Sequence, residues 1–395
     1  MSSPVLQVEE PRWHVVRRWL VVAVFGLVLV FYAGGGWYFS GEIRREALEV
    51  RPSEPTYDLD VVAADDHEVT LRPVGDADPT LTRPGIFGLS WPGGYARVGE
   101  VVAEDGGQVT RDLVDGPPPP VGTAATLDPF AFDGDPRSAL GVPFRDVTIP
   151  GPLGDLPAWW ILGGRDYWVI QIHGKGSSRE EALRTIPVIR ELGYPQLVIT
   201  YRNDPEAPPD PSGFYRYGAT EWEDLAAAVD FAVERGAEKV ILVGYSTGAS
   251  IAASYMLRTD DPMVIAGAVY DAPNLDMGAT IDFGASQRDL PLLPLSVPGS
   301  LAEVAKFFAA LRYDVNWELL DYAKLGGQVR APVLVFHGLE DDTVPIETSR
   351  EFANRQPNFV RLVEVPFAGH VQSWNVDSEL YENVLADFLR FEIGG

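Results

Sequence analysis

Residues 239–249 read Lys-Val-Ile-Leu-Val-Gly-Tyr-Ser-Thr-Gly-Ala. The apolar run before Gly244 is typical of a buried β-strand, and the small residues after Ser246 are typical of a tightly packed helix. Glycine on both sides of the serine indicates a sharp turn, where a Cβ atom would collide with the neighbouring strand or helix. The sequence therefore predicts strand, turn and helix, with the hydroxyl of Ser246 exposed on strained backbone.

A serine hydroxyl is a poor nucleophile at neutral pH, so it needs a base, and the base needs an orienting partner. Of the five histidines, His14 and His67 lie in the N-terminal part, while His173 and His337 precede glycines at predicted strand ends. The last two positions are typical of loop-stabilising residues. His370 follows the last predicted strand on a loop before a C-terminal helix, and we expect it to be the base.

The acid is expected after the preceding strand, where the chain reads His-Gly-Leu-Glu-Asp-Asp-Thr-Val-Pro over 337–345. Asp341 stands where a carboxylate would reach His370, fix the imidazole tautomer and stabilise the imidazolium. Asp342 is the alternative. The chain order Ser246, Asp341, His370 is the order expected for a strand–turn–helix serine of this kind.

Two backbone N–H groups are needed to stabilise a developing oxyanion. One is expected from Thr247, directly after the serine at the start of the helix. The other is expected from the loop His173-Gly-Lys-Gly176, where glycine allows the backbone to approach a substrate closely. We assign this second donor to the N–H of Lys175, with that of Gly176 as the alternative.

Near-continuous apolar runs alternate with helical patterns from about residue 155 onward, which predicts a doubly wound, mostly parallel α/β sheet. Ser178-x-x-Glu181 and Thr220-x-x-Glu223 have capping-box spacing. The segment from about 274 to 325 interrupts the alternation with Pro291, Pro294 and Pro298, then becomes helical, and we predict a cap over the site there. The strands are predicted at 167–172, 196–200, 239–243, 264–270, 333–337 and 360–365.

Taken together, these motifs make residues from about 145 to 395 resemble an α/β-hydrolase. The sequences 201–204 (Tyr-Arg-Asn-Asp), 217–222 and 373–375 also look like membrane-anchored actinobacterial serine hydrolases of the ABHD-type and prolyl-oligopeptidase-like branches. Such a resemblance implies hydrolysis through an acyl-enzyme on Ser246, with no metal or organic cofactor. A carboxylic ester or lipid-like acyl substrate is the first expectation. A peptidase, an acyltransferase and a non-catalytic binding protein are the alternatives.

Residues 19–39 carry no charge and would span about 30 Å as a helix, with aromatic residues at both ends. This predicts a single-pass membrane anchor with the N-terminus inside and the catalytic domain extracytoplasmic, although a cleaved signal peptide is the alternative. The expected organisation is a tail and anchor over 1–45, a small β-rich module over 50–145 and the hydrolase domain over 146–395. The module could be a spacer, a wall over the site or a partner-binding surface.

The composition excludes several function classes. A net charge of −26 and a pI near 4.5 argue against nucleic acid as a partner, because phosphates would be repelled. With no cysteine among 395 residues, disulfides, thiolate metal sites and cysteine nucleophiles are absent.

Overall fold

A computed structural model of the chain describes residues 12–51, 56–75, 78–290, 295–325 and 330–393. By its internal contacts the chain divides into two units. The N-terminal helix and residues 285–315 form one, and residues 48–284 with 316–395 form the other. The predicted cap residues Pro291 and Pro294 lie outside the described residues.

The larger unit begins with a closed barrel, in which six described strands are all antiparallel and follow the order β1-β2-β5-β4-β3-β6. Side chains alternate along β2, where Val69 and Leu71 are buried and Glu68 is exposed, so that one face of each strand fills the barrel core. The β-rich module predicted from sequence is confirmed. Its strands are β1 (Leu59–Ala64), β2 (Glu68–Pro73), β3 (Phe87–Trp91), β4 (Gly94–Asp105), β5 (Gln108–Asp115) and β6 (Ala124–Asp128).

The rest of the unit is built on a sheet whose eight described strands follow the order β14-β13-β12-β11-β9-β10-β8-β7. The six predicted strands form its parallel part, which confirms the α/β-hydrolase fold class. An antiparallel pair, β7 and β8, extends the sheet at one edge and was not predicted. The strands are β7 (Arg145–Pro150), β8 (Asp155–Ile161), β9 (Tyr167–Ile172), β10 (Gln196–Ile199), β11 (Lys239–Tyr245), β12 (Ile265–Asp271), β13 (Val333–Gly338) and β14 (Val360–Val365).

Helices cover both faces of this sheet, and neither predicted capping box forms. Ser178 caps a 3₁₀ turn over Arg179–Arg184, but the carboxylate of Glu181 binds the N–H of Gly174 instead of closing the box. The helix that follows Thr220 begins after Glu221, with no side-chain cap. The helices of this unit are α2 (Pro136–Leu140), α3 (Ile186–Glu191), α4 (Trp222–Glu234), α5 (Thr247–Arg258), α6 (Met277–Ser286, which ends two residues past the boundary), α8 (Tyr322–Leu325), α9 (Ile346–Arg355), α10 (Ser373–Val376) and α11 (Ser378–Asp387).

The smaller unit pairs α1 (Arg12–Ile43) with α7 (Gly299–Tyr313). Small residues allow the two helices to approach, since a Cβ on Gly36 would lie 2.5 Å from a methyl carbon of Val304. Arg312 donates to the carbonyl of Trp37 at 3.0 Å and to the hydroxyl of Ser40 at 2.6 Å. From Val15 to Leu48 the helix is long and apolar enough to cross a membrane, a test that a signal sequence also passes.

Candidate active site

Ser246 lies at the turn between β11 and α5, as the sequence predicted. Its backbone has φ 50° and ψ −111°, a conformation that non-glycine residues rarely adopt. The N–H of Ser246 donates to the carbonyl of Asp271 at 2.9 Å, which holds the turn against the end of β12. Backbone strain of this kind, which costs about 1–3 kcal/mol, persists only where the surroundings over-determine it.

The two flanking glycines are required by close backbone contacts. A Cβ on Gly244 would lie 2.5 Å from the backbone N of Ala249, inside the first turn of α5. A Cβ on Gly248 would lie 2.0 Å from the carbonyl O of Ile172, at the end of β9. Real Cβ atoms do not approach so closely, so the Gly-x-Ser-x-Gly pattern follows from packing of the helix against the sheet.

The structure brings Ser246, His370 and Asp341 together in one hydrogen-bonded row. The Nε2 atom of His370 lies 2.8 Å from Ser246 Oγ, and its Nδ1 atom lies 2.8 Å from Asp341 Oδ2. A carboxylate can only accept a hydrogen bond, so the imidazole proton is on Nδ1, and Nδ1–H donates a hydrogen bond to Asp341. Nε2 is then free to accept the hydroxyl proton of Ser246.

Asp341, rather than Asp342, is the carboxylate in this row. Its Oδ1 atom accepts hydrogen bonds from the N–H groups of Thr343 at 2.9 Å and Val344 at 2.8 Å, which leaves Oδ2 for His370. Burial alone would raise the pKa of Asp341, but the charge of His370 and hydrogen bonds from His337 and His370 outweigh it, and the pKa falls well below its usual value. Asp342 is exposed.

The pKa of His370 is set by its burial and by its interaction with Asp341. Burial would lower the pKa of the imidazole, but the negative charge of Asp341 and its hydrogen bond raise it above the usual value of 6.5. The charged imidazolium is therefore stabilised at this position, as a base that must hold a proton in mid-reaction requires.

Of the predicted oxyanion residues, Thr247 directly follows the serine, and Lys175 belongs to a loop that approaches it. Thr247 is the first residue of α5 and is buried. In the opposite loop a Cβ on Gly174 would lie 3.4 Å from Ser246 Cβ, so that loop passes directly beside the serine. Tyr215, whose pKa burial raises, accepts a hydrogen bond from the N–H of Gly176. The second donor stays a prediction, with the N–H of Lys175 assigned and that of Gly176 as the alternative.

A second histidine–carboxylate pair braces this loop, and sequence reasoning did not find it. His173 is fully buried, with Nε2 at 2.8 Å from Asp204 Oδ2 and Nδ1 at 2.8 Å from the carbonyl O of Gly174. Burial would lower the pKa of His173, but Asp204 raises it above the usual value. His173 therefore holds the loop instead of acting as a base. Asp204 belongs to the Tyr-Arg-Asn-Asp sequence, which was the available signal.

Both ring nitrogens of His337 also have partners within the protein. Its Nδ1 atom lies 2.7 Å from the hydroxyl of Ser349, and its Nε2 atom lies 3.3 Å from Asp341 Oδ2. It therefore contacts the same carboxylate oxygen as His370. Within the described part of the chain, no group of three or more His, Asp or Glu side chains is arranged to hold a metal ion.

Comparison with known proteins identifies the family. Residues 172–383, more than half of the chain, match the model of the alpha/beta hydrolase family. The chain belongs to the α/β-hydrolase family. Residues 60–128 match a second family, described as a domain of unknown function (DUF8805), and this range coincides with the barrel. Membership of the ABHD-type or prolyl-oligopeptidase-like branch stays a prediction.

Among solved structures, the chain is similar to an esterase of Pyrococcus furiosus, Pf2001, in three crystal forms. The identities are 22%, 24% and 25%, with TM-scores of 0.52, 0.53 and 0.51. The matches cover 66–67% of this chain and 95–97% of the esterase chains. A search of curated proteins gave no match.

Proposed function

We propose that this α/β-hydrolase is a serine esterase that cleaves carboxylic ester or lipid-like acyl bonds through an acyl-enzyme on Ser246. The observation that carries the proposal is the row of two 2.8 Å contacts from Ser246 through His370 to Asp341. Its orientation supports proton transfer from the serine, and the strained turn exposes the attacking oxygen. Similarity to the Pf2001 esterase supports an ester as the substrate class.

The chemistry proceeds in two balanced halves. Ser246 Oγ attacks the acyl carbon while His370 Nε2 takes the hydroxyl proton, and the N–H groups of Lys175 and Thr247 stabilise the oxyanion. Collapse of the tetrahedral intermediate breaks the bond to the alcohol, which leaves with the proton from His370. Water then repeats the sequence on the acyl-enzyme, releasing the acid and restoring Ser246. Asp341 stays ionised throughout and stabilises the imidazolium.

The same proposal places the enzyme at a membrane. The uncharged stretch 19–39 within α1 supports a single-pass anchor. Arg17 and Arg18, directly before the span, favour an extracytoplasmic catalytic domain. The anchor and the apolar residues of the 274–325 segment favour substrates in or near the bilayer. N-terminal sequencing of the protein purified from membranes tests the anchor. An uncleaved N-terminus is expected, because cleavage of a signal peptide would remove α1 and release the protein.

The test of the activity is labelling with a fluorophosphonate probe alongside hydrolysis of p-nitrophenyl esters from acetate to palmitate. Wild type should be labelled and active, and Ser246→Ala should show neither. Labelling without ester turnover would instead favour a peptidase or, with an added alcohol acceptor, an acyltransferase. Absence of labelling in folded wild type would refute the mechanism and favour a non-catalytic binding protein.

A further inference from the structure

One arginine of the barrel contacts both of the loops that carry His370 and Asp341. Arg83 lies between the 3₁₀ turn at Pro79–Thr82 and β3, and its side chain is 8% exposed. Its Nη1 atom donates to the side-chain oxygen of Gln372 at 2.9 Å, two residues after His370. Its Nη2 atom lies 3.4 Å from the carbonyl O of Glu340, the residue before Asp341. One guanidinium thus joins the base loop to the acid loop.

Glycines allow this close approach from both sides. A Cβ on Gly369, directly before His370, would lie 2.3 Å from Arg83 Nη1. A Cβ on Gly85 in the barrel would lie 2.0 Å from the carbonyl O of Asn375. Gly85 also has φ +96°, which favours glycine. The Arg83 side chain therefore packs directly on the base loop, and the backbone at Gly85 packs directly on the backbone of α10.

Asn375 supplies a second connection, five residues after His370. Its carbonyl accepts the N–H of Ile86 at 2.9 Å, and its side-chain amide donates to the carbonyls of Ile86 and Pro129, each at 2.8 Å. All three bonds join the barrel, or the segment just after β6, to α10, which directly follows the base loop. These bonds, one from the backbone and two from the side chain of Asn375, fix the separation of the two parts.

The barrel segment is itself held rigid by a buried arginine. Arg111, on β5, is fully buried and donates to the carbonyls of Leu81 at 3.0 Å, Arg83 at 2.9 Å and Gly85 at 2.9 Å. Burial lowers the pKa of Arg111 to about 10, so it remains charged at neutral pH. Burying a charge is costly unless it is fully hydrogen-bonded. Here that charge fixes the short segment from which Arg83 projects.

We propose that the barrel is a positioning module for the active site, and that Arg83 is the positioning residue through which it holds the Asp341 and His370 loops in register. Arg83 donates to atoms on both loops and not to the reacting groups, so its effect passes through the geometry of the hydrogen-bonded row. The proposal rests on the serine hydrolase mechanism proposed above. It assigns a role to a barrel that matches a domain family of unknown function.

The test compares Arg83→Met with Arg83→Lys, and with Arg72→Met as the matched control. Arg72 is a barrel arginine with an exposed partner, Asp60, at 2.8 Å. We expect Arg83→Met to lower kcat by about 10- to 100-fold, since sub-ångström to 1 Å misplacement costs up to this much, with KM changed by less than about twofold. Arg83→Lys should recover part of kcat, because a lysine reaches one of the two acceptors. Arg72→Met should match wild type.

A double-mutant cycle locates the effect. Gln372→Met should also lower kcat. Because each substitution removes the same 2.9 Å bond, the double variant should lose less kcat than the product of the two single fold-losses. This variant also keeps the proposal testable if Arg83→Met does not fold. Thermal unfolding of every variant separates loss of structure from loss of turnover.

A spectroscopic readout needs no substrate. The Nδ1–H proton of His370 in its bond to Asp341 should give a downfield proton NMR signal that Asp341→Asn removes. We expect Arg83→Met to broaden or abolish this signal, and Arg72→Met to retain it. If folded Arg83→Met keeps wild-type kcat and this signal, or loses only thermal stability, the positioning role is refuted. If wild type neither hydrolyses esters nor binds the fluorophosphonate, the proposed function fails, and the NMR comparison still decides the role of Arg83.

Discussion

Replacing Asp341 by asparagine should disable the active site while leaving the fold intact. Asp341 Oδ1 accepts the N–H groups of Thr343 and Val344, so the asparagine carbonyl would take that place. The asparagine amide would then point at His370 Nδ1, which lies 2.8 Å from the present Oδ2. An amide can only donate there, so Nδ1 would have to accept and the imidazole proton would move to Nε2, facing Ser246. His370 would then hold the wrong tautomer for a base.

The loss of turnover follows from the tautomer and from the missing negative charge. On the order of 10⁴-fold in kcat is expected, or about 5 kcal/mol of transition-state stabilisation. Asp342→Asn is the matched control, because its carboxylate is exposed beside the same loop, and it should stay within about twofold of wild type. Ester hydrolysis and the rate of fluorophosphonate labelling measure both variants.

The pH dependence gives an independent check. His370 must be neutral to accept the proton of Ser246, so kcat/KM should rise as pH passes through the pKa of His370 in the free enzyme. Burial lowers that pKa, but the opposing effect of Asp341 is larger. In wild type the rise in kcat/KM should therefore lie above pH 6.5. The residual activity of Asp341→Asn should rise at a lower pH. A variant that retains a tenth of wild-type kcat would refute the reasoning, and a loss confined to Asp342→Asn would assign the acid to Asp342.

Three further substitutions test the surroundings of the row. Gly248→Ala places a Cβ 2.0 Å from the carbonyl O of Ile172 and should cut the rate of fluorophosphonate labelling at least about 100-fold. The control, Gly284→Ala, adds a Cβ that meets nothing within 4 Å and should leave the labelling rate unchanged. Asp204→Asn removes the charge that holds His173 and should lower kcat by up to about tenfold. This loss is smaller than the loss of kcat on removing an oxyanion donor outright. Unchanged kinetics of ester hydrolysis would contradict the prediction. Arg111→Met leaves buried carbonyls without a donor and should cost about 3 kcal/mol or more in chemical denaturation, and a smaller loss would argue against its bracing role.

The sequence was sufficient for features that depend on continuous local patterns. The six parallel strands were predicted within a residue or two of their bounds because strands buried on both faces read as unbroken apolar runs. The serine turn was equally readable, since steric contacts fix glycine at 244 and 248. In contrast, β7 reads Arg-Asp-Val-Thr-Ile-Pro, a mixed pattern typical of a half-exposed edge strand, and was not predicted.

Features that depend on distant partners could not be read locally. Glu181 and Glu223 have the spacing of capping residues, but tertiary partners compete for them. Glu181 binds the N–H of Gly174 at 2.7 Å, and Glu223 binds Arg202 at 2.9 Å. The bond from Arg83 to Gln372 joins residues 289 positions apart. No periodicity encodes such a pair, so the link between barrel and active site becomes visible only in the folded chain.

The base loop needs support from both sides because its backbone is strained. Val371, directly after His370, has φ +54°, which is unfavourable for a β-branched residue. Its carbonyl accepts a hydrogen bond from Arg184 at 2.7 Å, on the side of the α/β core. On the other side Arg83 binds Gln372, the next residue. Two arginines from different parts of the fold thus hold the carbonyl of the strained residue and the side chain of the residue after it. We expect that removing either arginine would let the loop relax and displace His370.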